Sequence, residues 1–271
     1  SVKSRMESGI SYAEFTYQLF QAYDFYFLNK NYDITVQVGG ADQWGNLTSG
    51  IELARKKDQK ELFAFTIPLI KKKDGSKFGK SEQGEAIWLD QNMTSVYKFY
   101  QFWINSSDIE ALSYIKIFTF LDIEEINLIE NIHQLNPEKR VLQKELAKEV
   151  TSFVHGVDQT KICSQITEIL FDREKKMENY SEQLIESLSK EIPTFEISKE
   201  VLDQKIENII FQKELFDSKS ELKRFLKEKG IYINKRNDID FENEKMKNLL
   251  INDRFIFLQK GKKNFYLLKF I

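Results

Sequence analysis

The sequence predicts an α/β unit with a parallel sheet, then a helical region, then a small α+β unit, on three observations. Strand-like and helical patterns alternate from residue 1 to about 70, the order that gives parallel sheets. Helical segments follow one another from Thr94 to Leu188. After residue 197 come an amphipathic helix, a short strand and a hairpin.

In the first unit Ser11 caps a helix that runs to about Leu28. On it Tyr17, Gln21 and Asp24 recur at i, i+4 and i+7, within about 60° of one another at roughly 3.6 residues per turn. Phe15, Leu19, Tyr23 and Tyr26 lie opposite this stripe, and Phe20, Phe25, Phe27 and Leu28 beside it. A helix apolar on almost every side is expected in a core, where an acid, an amide and a phenol need partners that a polar ligand would supply. Residues 34–38 read as a buried strand from their β-branched side chains, and Gly39-Gly40 as a turn that lets the backbone approach a ligand. A helix is expected from about Gln43 to Lys57. In open α/β sheets ligands bind at the carboxyl ends of strands, where Asp42 and Gln43 fall. Spacing alone leaves another reading open, with Asp42 a helix cap and the Tyr17 stripe solvated. Residues 63–70 are the second expected buried strand.

Residues 71–84 read as a lysine-rich loop with a tight-turn signal at Asp74-Gly75, which on the residues alone is open to a merely solvated reading. Helices are then expected from Thr94 through Trp103, after Ser107, after Asp122 and, longest, from Pro137, where Asn136-Pro137 joins a cap residue to proline at the first helical position. Leu142, Leu146, Val150, Phe153 and Val154 define its buried face, and Lys139, Arg140, Lys144 and Lys148 load its exterior. A helix over 161–171 and a charge-rich connector with a short helix at 182–188 follow. The last unit comprises a helix over 219–230 ended by glycine, a strand over 231–234, and hairpin strands 255–258 and 264–268 flanking residues 259–263.

A chain of 271 residues accommodates two or three domains. Its 40 basic and 42 acidic side chains nearly balance, so any nucleic-acid surface must be a local one. Cys163, the single cysteine, excludes an internal disulfide and a cysteine-rich metal site; at an apolar helical position it reads as a buried, inert thiol suited to a reducing compartment. His133 and His155 read as ordinary helix residues, and no metal site is expected. No apolar run approaches the roughly 18 residues that span a bilayer, and the start lacks a signal pattern, so a soluble protein without a membrane partner is expected.

The run Tyr17-x3-Gln21-x2-Asp24, followed by Gln37-Val38-Gly39-Gly40-Ala41-Asp42-Gln43-Trp44-Gly45-Asn46, resembles the second half of the catalytic domain of bacterial and organellar tyrosyl-tRNA synthetases. Lys77-Phe78-Gly79-Lys80-Ser81 resembles that family's version of the class I signature Lys-Met-Ser-Lys-Ser. Similarity continues through Pro137-Glu138-Lys139-Arg140 and Val154-His155-Gly156, weakening after about residue 157. The resemblance implies half of a Rossmann-like catalytic domain over 1–70, a signature-loop linker over 71–93, a helical anticodon-binding domain with connector over 94–196, and a small RNA-binding domain similar to ribosomal protein S-four over 197–271. It also implies a ligase that forms tyrosyl-adenylate from tyrosine and ATP, with Mg²⁺ and no tightly bound cofactor, and then esterifies tRNA. A homodimer in the cytoplasm or an organellar matrix goes with it.

By the same resemblance Asp24 accepts a hydrogen bond from the substrate phenol, Tyr17 and Gln21 hold its amino group, Gln37 and Gln43 line the amino-acid site, and Asp42 binds the ribose of ATP. Lys77, Lys80 and Ser81 bind ATP, the two lysines at its phosphates. Lys219, Lys223, Arg224 and Lys227 supply RNA phosphate contacts, opposed by acidic Asp238, Asp240, Glu242 and Glu244 in a loop longer than the family's. The other class I signature, His-Ile-Gly-His, has no counterpart, since neither histidine sits in such a motif. An upstream half carrying that motif and the first strands is therefore expected, with the chain alone inactive and its sheet edge in need of partner strands. The rivals are a tryptophanyl enzyme, which lacks the terminal domain and the 39–46 string, and a non-catalytic RNA-binding protein derived from a synthetase.

Overall fold

The computed structural model describes residues 9–70, 86–172, 175–213, 215–216, 218–241, 243–262 and 264–271. Two compact units divide the chain, Ser1–Gly79 and Lys80–Ile271.

In the first unit, α1 (Tyr12–Tyr32) opens on a reciprocal cap: Ser11 Oγ accepts from the Glu14 N–H, and the Glu14 carboxylate accepts from the Ser11 N–H. Asp33, left-handed at φ 54°, ends it. Then come β1 (Val36–Gly40), a 3₁₀ turn (Ala41–Gln43), α2 (Trp44–Asp58) and β2 (Phe63–Ile67). The strands pair in parallel, Val36 opposite Phe63 and Gly40 opposite Ile67, as a βαβ crossover requires. α1 packs on α2 where Phe25, 1% exposed, meets Gly50. A Cβ at Gly50 would lie 2.9 Å from Cδ1 and 3.1 Å from Cβ of the buried Phe25, so the ring would have to shift. Gly50→Val is therefore expected to destabilise this unit by about 2 kcal/mol or more through overpacking, read by urea unfolding.

The burial expected of these elements is not what the structure shows. On α1 only Thr16, Ala22, Phe25 and Tyr26 are buried, while Phe15, Leu19, Phe20, Tyr23 and Phe27 are exposed. Val36, Val38, Phe63 and Phe65 are exposed as well. Two strands with α2 packed on them cannot enclose both faces of the ladder or all sides of a 21-residue helix. β1 also begins two residues later than expected and takes in Gly39 and Gly40, because their pairing with Thr66 and Ile67 extends the ladder.

The second unit begins with a helical layer of α3 (Val96–Ile104), α4 (Asp108–Phe118), α5 (Ile123–Leu135), α6 (Val141–His155) and α7 (Val157–Phe171). Ser95, Ser107 and Asp122 cap the first three by accepting from backbone N–H groups of the first turn. α6 is central, packing against α3, α4, α5 and α7. Leu142, Leu146 and Val150 are buried as the spacing predicts, but Phe153 is 69% exposed, its ring 5.2 Å from the exposed ring of Phe120. Pro137–Lys139 is a separate 3₁₀ turn. Arg140, left-handed at φ 52°, turns back so that Nη2 donates to the carbonyls of Ile104 and Ser106 at 2.6 and 2.9 Å, which removes it from the exterior lysine face.

α7 starts at Val157, four residues before the expected helix, and buries Cys163, Ile166 and Ile169. Burial pushes the Cys163 thiol up to about 12, the inert state expected of it. His133 and His155 are helix residues of α5 and α6; the His155 ring packs edge-on against Phe99 at 4.9 Å, and burial lowers its pKa.

α8 (Glu182–Leu188) leads into a four-stranded sheet of β3 (Thr194–Ile197), β4 (Ile231–Ile233), β5 (Phe255–Lys260) and β6 (Asn264–Phe270), ordered β3-β6-β5-β4. β3 is parallel to β6 and the other pairs are antiparallel. Ile206 and Ile210 of α9 (Ile206–Gln212) and Leu222 of α10 (Lys219–Lys227) close over Ile233, Ile256, Leu258 and Leu268. The left-handed residue after α10 is Lys229, not Gly230; Gly230 fits because a Cβ there would lie 2.9 Å from Phe225 Cδ1. The hairpin is tighter than expected, since Gln259 and Lys260 pair with Phe265 and Asn264. No helix among the described residues is long and apolar enough to cross a membrane.

Candidate functional site

At the carboxyl end of β1 the backbone passes through Gly39 and Gly40 without room for side chains. A Cβ on Gly39 would stand 3.0 Å from Gln43 Cβ, and one on Gly40 would stand 2.7 Å from Asp42 Oδ1 and 2.9 Å from Leu69 Cδ2. The glycines therefore serve close approach of the following turn, with β1 itself extended. That turn starts a chain of hydrogen bonds. Gln43 Nε2 donates to Asp42 Oδ2 at 3.0 Å, Asn46 Nδ2 donates to Gln43 Oε1 at 2.8 Å, and Asn46 Nδ2 also reaches Tyr17 Oη at 3.1 Å.

Tyr17, Gln43 and Asp42 are thus brought together, with buried Asn46 as the bridge. Gln18 ties α1 to the same place, donating from Nε2 to the Gly45 carbonyl at 3.0 Å and to Ser49 Oγ at 2.6 Å. Asp42 does not act as a helix cap: neither the 3₁₀ turn nor α2 starts with a side-chain cap bond. Tyr17, 47% exposed, is not the buried phenol expected from the helix pattern. Gln21 is half-buried and Asp24 exposed on α1, at the same stripe spacing. Gln37, on β1, is half-buried with its Oε1 enclosed and without a hydrogen-bond partner, an acceptor available to a ligand's donor.

Asn46 and Gln18 carry no role in the sequence reading. Asn46 was legible in principle, because it lies three residues after Gln43 and so shares its helical face. Together these groups present a carboxylate, amides and a phenol around glycine backbone, a set that orients a polar ligand through hydrogen bonds.

Other expected site residues lie elsewhere. Lys77, Lys80 and Ser81 are outside the described residues, as is the side chain of Lys219. Lys223, Arg224 and Lys227 are exposed on α10, with the Arg224 guanidinium 5.6 Å from the Phe225 ring. In the acidic segment Asp238 pairs with Arg236 at 3.2 Å, which holds its carboxyl below the usual range, and Asp240 accepts from Asn243; Glu242 is outside the described residues.

The family model described as tRNA synthetases class I (W and Y) matches residues 1–172. The chain belongs to this family. In this synthetase chain a second model, Tyrosine--tRNA ligase SYY-like C-terminal domain, matches residues 184–268. The tyrosine--tRNA ligase of Amoebophilus asiaticus is 43% identical over 277 residues, covering 99% of this chain and 64% of its own length. That of Flavobacterium johnsoniae is 43% identical over 281 residues, covering 100% of this chain and 65% of its own. The chain thus spans slightly under two thirds of the length of the relatives it matches. A solved C-terminally truncated mitochondrial tyrosyl-tRNA synthetase of Aspergillus nidulans is 37% identical, with a TM-score of 0.53 over 63% of this chain and 49% of that one. The α/β unit is therefore part of the Rossmann-like parallel sheet of the class I synthetase fold, and the last unit is a synthetase C-terminal domain.

Proposed function

We propose that the chain is the carboxyl-terminal portion of a tyrosine--tRNA ligase, in which tyrosine and ATP give tyrosyl-adenylate and pyrophosphate, and tyrosine then passes to tRNA. The observation that carries this reading is the hydrogen-bonded run Tyr17, Asn46, Gln43, Asp42, which links the polar stripe of α1 to the carboxyl end of β1. In it Asp24 takes the substrate phenol, Tyr17 and Gln21 the α-amino group, and Gln37 and Gln43 line the amino-acid site. Asp42 takes the ATP ribose, while Lys77, Lys80 and Ser81 serve the phosphates. Mg²⁺ would enter with the phosphates of ATP.

Residues 94–196 would face the anticodon side of the tRNA. The C-terminal domain would act as a ribosomal-protein-S-four-like RNA binder through Lys219, Lys223, Arg224 and Lys227. The assembly would be a homodimer, in the cytoplasm or an organellar matrix. The SYY-like C-terminal match and the names of the relatives favour tyrosine over tryptophan, and a ligase over a non-catalytic RNA binder.

Amino-acid-dependent ATP–pyrophosphate exchange tests the reading. The full-length protein is expected to exchange with tyrosine and not with tryptophan; exchange with tryptophan, or none, would overturn the proposal. The 271-residue chain, which lacks the His-Ile-Gly-His signature, is expected to show no exchange while keeping weak, salt-sensitive tRNA binding. Robust exchange by it alone would contradict a site assembled from two halves.

A further inference from the structure

We propose that Asn46 is a positioning residue that sets the hydrogen-bond polarity of the site, holding the Gln43 amide with its NH₂ group toward the ligand, where it meets a carboxyl oxygen of an amino acid. That the ligand is an amino acid rests on the proposed function; the polarity does not.

The direction of the hydrogen-bonded run follows from its acceptor end. A carboxylate only accepts, so the end of the Gln43 amide that lies 3.0 Å from Asp42 Oδ2 is the Nε2 donor. Gln43 then turns Oε1 the other way, and that oxygen accepts from Asn46 Nδ2 at 2.8 Å. The same nitrogen donates to Tyr17 Oη at 3.1 Å, so both N–H groups of the Asn46 amide are spent on residues of the site. Asn46 sits in the first turn of α2 at 5% exposure, beside buried Leu47. A Gln43 amide turned end for end would set NH₂ against NH₂ where little water reaches, and buried donors without acceptors are costly.

Nothing intrinsic to Gln43 supplies this orientation. Its stem is pressed against β1, since a Cβ built on Gly39 would lie 3.0 Å from Gln43 Cβ and 3.4 Å from Gln43 Cγ. The terminal torsion of a glutamine is by contrast broad and roughly two-fold, so oxygen and nitrogen exchange places at small cost. Asp42 is exposed and shared with water, which makes it the weaker guide, and the buried amide of Asn46 the stronger. Tyr17 is held to the same point by its neighbour on α1: Gln18 Nε2 donates to the Gly45 carbonyl at 3.0 Å and to Ser49 Oγ at 2.6 Å, which keeps this turn of α1 against the start of α2. Of the two N–H groups on Gln43 Nε2, Asp42 takes one, and the other serves a ligand acceptor at this half-buried position. An amino acid offers donors at its ammonium and acceptors at its carboxylate, so the polarity that Asn46 imposes selects the carboxylate for Gln43.

Equilibrium dialysis of tyrosine and of tyramine, which lacks the carboxylate, against the full-length protein and its Asn46→Leu variant tests the assignment. Leucine keeps the branching and nearly the volume of asparagine, adds no charge and removes both donors. The unaltered protein is expected to prefer tyrosine over tyramine, and Asn46→Leu to reduce that preference by about tenfold or more, the size of a hydrogen bond to a charged group. Asn46→Ala is expected to lose less, since water can enter and donate in place of the amide; if the leucine variant fails to fold by far-UV circular dichroism, the alanine variant still reads the ratio. A residue that merely fills space would weaken both ligands alike. An unchanged ratio in the folded variants, or no preference for tyrosine in the unaltered protein, would overturn the proposal. Absence of any tyrosine binding by the unaltered protein would sink the ligase reading and this inference together, whereas a preference that survives in the variants sinks this inference alone.

Discussion

Replacing Lys77 or Lys80 with alanine in the full-length protein is expected to slow tyrosyl-adenylate formation by about 10²-fold or more, with tyrosine affinity nearly unchanged. As pyrophosphate leaves, negative charge builds on the phosphate oxygens, and an ammonium aimed at that charge contributes more in the transition state than in the ground state. A loss of about 10²-fold corresponds to roughly 2.7 kcal/mol, the size expected for one fixed electrostatic donor. Single-turnover kinetics over a range of tyrosine concentrations separates the rate from the affinity. Weakened tyrosine binding with an unchanged chemical rate would make these structural lysines.

Asn234→Ala is expected to cost about 2–4 kcal/mol of stability in the C-terminal domain. Asn234 is 9% exposed; its Nδ2 donates to the Leu249 carbonyl at 2.6 Å and its Oδ1 accepts from the Phe257 N–H at 2.9 Å. Alanine leaves both backbone groups buried without these partners, and it tolerates the left-handed φ of 50° less well than asparagine does. Asn234→Gly separates the two causes, since it relieves the backbone conformation and still removes both side-chain bonds. Urea unfolding of the three proteins reads the ledger. A loss within about 0.5 kcal/mol for the alanine variant would mean that water or a shifted backbone replaces those bonds.

The elements most legible in the sequence were those fixed by local chemistry. Ser11, Ser107 and Asp122 each start a helix as their side chains suggest, because cap bonds involve only residues within one turn. Leu142, Leu146 and Val150 reach the core because a period of 3.6 places them on one face. What depended on neighbours distant in sequence was not legible. The apolar content of α1, β1 and β2 suggested burial, but a two-stranded ladder with α1 and α2 cannot enclose it. Arg140 counted as a surface cation until its left-handed backbone turned it onto two carbonyls. In the candidate site the residue types were visible as a motif, whereas the bridge through Asn46 and the anchor of Gln18 depend on how α1 crosses α2, which one sequence does not show.

The central claim, that the stripe on α1 reads the phenol of tyrosine, is tested most directly by kcat/KM for tyrosine and for phenylalanine in the full-length protein and its Asp24→Ala variant. A site that hydrogen-bonds a hydroxyl rejects an analogue lacking it, because the site's own polar group is left unpaired. A hydrogen bond to a charged group contributes roughly 1.5–3 kcal/mol, so the preference for tyrosine should narrow by about tenfold or more. An unchanged ratio of the two constants would place phenol recognition on other residues and contradict the account.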